Sequence, residues 1–83
     1  MNLSATSWDA SDLLPATAAG YRILVRRDFE SGQYVAQLVV PSTGLVVAWL
    51  MGEVLSAGYA VDKSAWWPPV KVAMRLACQR SAS

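Results

Sequence analysis

Between Tyr21 and Val40, apolar side chains recur at every second position on either side of Ser31-Gly32, Arg27 excepted. Successive strand side chains point to opposite faces, so this spacing constrains the segment to a β-hairpin with Ser31-Gly32 as a two-residue turn. In that arrangement Glu30 faces Gln33, Phe29 faces Tyr34, Val25 faces Leu38 and Ile23 faces Val40. These apolar pairs share one face. The other face carries Arg26 opposite Gln37, Asp28 opposite Val35 and Leu24 opposite Val39. An apolar face backed by a mostly polar one is the pattern of a hairpin lying on a core.

The core must then come from the flanking segments. The run from Leu45 to Ala57 shows no polar stripe, which reads as a buried helix, with Ser42 or Thr43 as its N-cap and Gly58 as its C-cap. A third strand over Leu45–Met51 is the alternative, because Val46-Val47 is β-branched. Tyr59-Ala60-Val61 reads as a short final strand. Pro68-Pro69 suits the first turn of a helix, where backbone donors are unpaired. Beyond it Val70, Ala73, Met74 and Ala77 fall on one helical face and Lys71, Arg75 and Gln79 on another, with Ser81–Ser83 as a frayed tail. Residues 1–20 read as a flexible N-terminal arm, in which Ser7 caps a short helix that Pro15 ends. The expected fold is therefore α+β: an antiparallel hairpin or small three-stranded sheet with one or two helices on one face, in a single domain over 21–83.

Composition sharpens this reading. Of the 83 residues 54% are hydrophobic and 16% charged, with four Trp and no His. A chain this short buries only about 60–65% of its extended surface, so apolar surface is left over for a second chain to cover. The net charge of +1 gives no long-range pull toward nucleic acid or anionic membrane. The single Cys78 excludes an intramolecular disulfide and fits a reducing, cytoplasmic setting, and its neighbours suggest a packed, inert thiol. The N-terminus lacks a basic region followed by an apolar run, so it does not read as a secretion signal. Residues 44–61 carry one charge, Glu53, but sit at the lower length limit of a spanning helix with that carboxylate near the centre. A soluble protein is the expectation.

Chemistry finds little purchase. Without His, Cys78 lacks its commonest base, and no serine sits in a nucleophile-elbow pattern. Asp28 and Glu30 lie on the polar hairpin face as solvated charge, and Glu53, expected to be buried, is read as the partner of Arg27. No metal-ligand spacing and no phosphate-binding glycine motif occurs. The expectation is no catalytic activity, no cofactor and no metal. Lys71, Arg75 and Arg80 with Trp66 and Trp67 admit nucleic-acid binding, but the absence of a basic excess argues against it.

Binding of another protein or protein complex is the function class that survives. The expected contact surface is the polar face of the hairpin plus the aromatic break: Arg22, Arg26, Asp28, Trp66 and Trp67. Mixed charge there surrounds Leu24, Val35 and Val39, an apolar centre with a polar rim. Trp66 and Trp67 are read either as core or as interface, and a homodimer could use the same surface. From Gly32-Gln33-Tyr34-Val35-Ala36 through Pro41 to Gly44, the chain resembles the small HicB-type antitoxin half-domain, which implies a ββα shape and an antitoxin-like partner protein. It departs from that family in a later Pro and in lacking an acidic helix start. Small α+β proteins without catalytic residues are also common among phage and mobile-element inhibitors, including anti-CRISPR proteins. That analogy points to an inhibitor that occupies a surface of a host protein complex, and the neutral charge sets the chain apart from acidic nucleic-acid mimics.

Overall fold

The computed structural model describes residues 7–58 and 64–82. It is an α+β fold: a five-stranded antiparallel meander, in the order β1-β2-β3-β4-β5, with one C-terminal helix on one face. The strands are β1 (Ser7–Asp9), β2 (Arg22–Arg27), β3 (Tyr34–Val40), β4 (Leu45–Met51) and β5 (Val54–Ala57), and the helix is α1 (Trp67–Ala82). Short 3₁₀ turns at Ser11–Leu13 and Ala16–Ala18 link β1 to β2. Among the described residues no helix is long and apolar enough to cross a membrane.

The hairpin of β2 and β3 exists, two residues out of the expected register. Ile23 pairs with Leu38 and Val25 with Ala36. A shift of one residue would exchange the faces; a shift of two preserves them. The cause lies in the loop. Asp28 donates its N–H to the Gln33 carbonyl at 2.7 Å, and its own carbonyl accepts from Gly32 at 2.8 Å, so four residues, not two, make the bend. Gly32 takes a φ of +75° there. Phe29, expected on the core face, is instead 75% exposed at the loop tip.

The helix expected over 45–57 is not formed; the alternative, a third strand over Leu45–Met51, is. Residues 45–57 are the β4–β5 hairpin, with Met51 paired to Val54 across the turn Gly52-Glu53. The ββα shape implied by the antitoxin resemblance falls with it, because a strand follows the Pro41 loop. Glu53 lies exposed at the turn and is not the buried partner of Arg27, whose guanidinium sits 5.9 Å from the centre of the Tyr34 ring. The register slips by one between Leu38 and Val39, so that Val46 pairs with Val39 and Ala48 with Leu38. Val47 is the extra residue, a bulge that turns both Val47 and Ala48 into the core.

The amphipathic helix after Pro68-Pro69 forms as its spacing implies: Val70, Ala73, Met74 and Ala77 are all buried. Ala73 and Ala77 on the helix and Ala36 and Ala48 on the sheet are small, which lets α1 lie close over β2, β3 and β4. Ile23, Val25, Leu38 and Leu50 fill the layer between. The helix continues through Ala82, and Ser81, expected in a frayed tail, is buried with its hydroxyl donating to the Ala77 carbonyl at 3.0 Å. At the other end of the chain, residues 7–20 are docked. β1 pairs with β2, Ala10 and Ala18 have no exposed surface, and Arg80 reaches Asp12 at 3.0 Å. The helix expected to start at Ser7 is the β1 strand. The short strand expected at Tyr59-Ala60-Val61 lies outside the described residues, as do residues 1–6.

Candidate functional site

One face of the sheet is covered by α1; the other is not covered by any described element. Side-chain alternation places Arg22, Leu24 and Arg26 of β2, Val35, Gln37 and Val39 of β3, Val46, Trp49 and Met51 of β4, and Val54 and Ser56 of β5 on this open face. Its polar residues gather on the β1–β2 side and its apolar residues on the β4–β5 side. Val35 and Val39 are shielded by their neighbours, at 6% and 7% exposure. Trp49 and Val54 stand out, at 37% and 66%. The Trp49 ring lies over Gly58, where an added Cβ would sit 3.7 Å away, in ordinary contact. At one end the β2–β3 loop rises over the sheet and encloses an open hollow of about 780 Å³ lined by Arg26, Phe29, Val35, Val46, Trp49 and Met51, among others.

The charges around this face are matched locally. Arg22 meets Asp9 across the β1–β2 pair, its Nη2 and Nε lying 2.7 and 2.8 Å from the same carboxylate oxygen. Burial raises the Asp9 carboxyl, but hydrogen bonds from the Ser11 hydroxyl and N–H, together with the Arg22 charge, outweigh it and hold the group below the usual range. Asp28 organises the loop beside the hollow. It accepts from the Ser31 hydroxyl at 2.7 Å and from the backbone N–H groups of Glu30 and Ser31 at 3.4 Å each. The Ser31 bond is the main cause of its lowered pKa, and the Arg26 charge adds to it.

A carboxyl depressed in the folded state contributes stability above its unfolded value, and that contribution is lost as pH falls through the folded value. The loop should therefore hold its form through the pH range where exposed aspartates titrate, near ~3.9, and loosen only below it. NMR titration of the Glu30 and Ser31 amides checks this. A midpoint at or above that of an ordinary aspartate, or a titration unchanged by Asp28→Asn, would remove Asp28 from this role.

The sequence-derived contact residues divide between two places. Arg22 and Arg26 lie on the open face, and Asp28 at its end, around the expected apolar centre of Leu24, Val35 and Val39. The structure does not bring Trp66 and Trp67 to that face. Trp66 stacks on Tyr21 at 5.6 Å, and Trp67 meets Trp66 edge-on at 5.8 Å. Both are half-buried against the core at the start of α1. Trp49, Met51, Val46, Val54 and Phe29 are the surface residues that sequence reasoning missed. The pair Gly52-Glu53 between apolar runs was the available signal, since glycine at the first position of a two-residue loop marks a hairpin. Cys78 lies half-buried with its Sγ 3.6 Å from the Leu50 carbonyl and 3.8 Å from that of Tyr34. Burial pushes its thiol up, away from thiolate chemistry.

No protein-family model, curated protein or solved structure matches this chain.

Proposed function

We propose that this chain is a non-enzymatic protein-binding module whose contact surface is the open sheet face. The observation that carries the reading is the cluster of exposed Trp49, Val54 and Phe29 around the shielded Val35 and Val39, on the one sheet face that the helix leaves free. Contiguous apolar surface of this kind, rimmed by charge, is characteristic of protein contacts. In its most concrete form the module is an inhibitor of the size class found in phages and mobile elements, seated on a surface of a larger host complex. Nucleic acid is the less favoured ligand, because the chain carries a net charge of only +1 and Arg22 on the face is paired with Asp9.

Affinity capture from the native cell with wild-type chain, Val54→Asp and Phe29→Ser tests this. Both side chains are well exposed, so the variants should melt with the wild type. The expected result is a protein retained by the wild type in high salt and lost at least ~10-fold with either variant, as for substitution at an interface centre. Retention of nucleic acid alone, with steep loss in salt, would overturn the proposal. So would a protein partner that both variants bind as well as the wild type does.

A further inference from the structure

We propose that two copies of this chain pair through the outer edge of β5, joining their sheets into one. Among the described residues β5 ends the sheet, and its phase against β4 is set by the bond from the Gly58 N–H to the Val47 carbonyl at 3.0 Å. Counting back by twos along an antiparallel ladder, Gly58, Ser56 and Val54 turn their peptide groups toward β4. Leu55 and Ala57 turn theirs outward. None of the described residues hydrogen-bonds to those outward groups.

Sheet edges in soluble proteins are usually blunted by a charge, a proline or a bulge. Val54-Leu55-Ser56-Ala57 has none of these. The opposite edge, β1, is three residues long and carries Asp9, held by Arg22. The asymmetry singles out β5 as the edge left for pairing.

A second copy fits this edge better than an arbitrary strand because the edge is complementary to itself. A two-fold axis through Ser56 is the register that uses all the outward groups: Leu55 of each copy exchanges both bonds with Ala57 of the other, giving four hydrogen bonds. On the helix side each large Leu55 then lies beside a small Ala57. On the open side the two Ser56 residues meet. The segment is uncharged and the chain carries only +1, so the two copies do not repel each other appreciably. The helix packs mainly on β2 to β4, and the side chains of Leu55, Ser56 and Ala57 are half-buried. The axis stands perpendicular to the sheet, so both helices fall on one side and both open faces on the other. If the open face binds a partner as proposed above, the dimer presents it twice and binds with avidity; the pairing itself does not rest on that reading.

Four edge residues per copy bury far less than a standard interface, so the dimer should be concentration-dependent. Sedimentation equilibrium of the full chain from ~10 μM to ~1 mM should show the mass rising from 9.0 kDa toward twice that value. Ala57→Pro removes an outward donor and leaves the β4 ladder intact, so it should stay monomeric with an unchanged circular dichroism spectrum. Ser56→Cys should cross-link under mild oxidation, because facing residues in such a non-hydrogen-bonded pair lie about 4.5 Å apart at Cα, within disulfide reach. Thr43→Cys, in the exposed β3–β4 turn, is the control. A mass that stays monomeric throughout overturns the proposal, as does a dimer that Ala57→Pro leaves intact. If Ala57→Pro unfolds, the cross-link decides: a rate for Ser56→Cys no greater than for Thr43→Cys rejects the pairing.

Discussion

Leu38→Ala is expected to lower the unfolding free energy by about 3 kcal/mol, the middle of the range for truncating a fully buried leucine. Leu38 has no exposed surface, sits on the central strand between Ile23 and Ala48, and lies beneath α1. Its neighbours cannot close the gap readily. Ala36 and Ala48 carry only a methyl, with nothing that can rotate into it, and the backbone around it is fixed by ladders on both sides. A domain of 83 residues has roughly 4–12 kcal/mol in total, at about 0.05–0.15 kcal/mol per residue, so the loss is a large share of it. Urea denaturation should show a lower midpoint with an unchanged slope. A loss under ~1 kcal/mol would mean that the site collapses around the cavity or that Leu38 is not a core residue.

The same two faces of β2 and β3 explain how much of the fold is legible in the sequence. Ile23, Val25, Leu38 and Val40 alternate with Arg22, Leu24, Arg26, Val39 and Gln37 clearly enough to assign each to a side. The error in the loop moved the pairing by two residues, so it exchanged partners without exchanging faces. Arg22 and Arg26 were therefore correctly set apart from the core. Asp28 reads as solvated charge in the sequence because its hydrogen bonds depend on a four-residue bend that the Ser31-Gly32 turn signal does not suggest. The C-terminal helix was legible for an equally local reason: its buried residues follow a spacing of three and four, with charge between them.

Strand β4 was legible only as the alternative to a buried helix and β5 not at all, and the cause is physical. A strand with one face on the core and the other on solvent normally alternates apolar with polar. Here the outward positions Val46, Trp49, Met51 and Val54 are also apolar, so alternation disappears and the run resembles a helix buried on all sides. The bulge at Val47 disturbs the period again by placing two successive residues inside. The property that makes this face a candidate interaction surface is thus the one that hid its strands. Trp49, at its centre, reads as part of a helix interior for that reason.

Gly52→Ala separates the two readings by sign. Inside a helix, replacing glycine with alanine would stabilise the chain by about 1 kcal/mol. In the hairpin Gly52 holds a φ of +57°, where an L-residue with a Cβ costs about 1–2 kcal/mol. Space is not the obstacle. The nearest atom to an added Cβ is Gln33 Oε1 at 3.4 Å, the end of a flexible side chain that can move aside. The strain therefore lies in the backbone, and it should ease in Gly52→Asn, since asparagine tolerates the left-handed region, and worsen in Gly52→Val, whose branched side chain does not. For a domain of this size the alanine variant should melt about 4–16 °C below the wild type, with asparagine between them and valine lowest. A melting temperature raised by alanine would return residues 45–57 to a helix and remove Trp49 and Val54 from the sheet. The open face and the β5 edge would go with them.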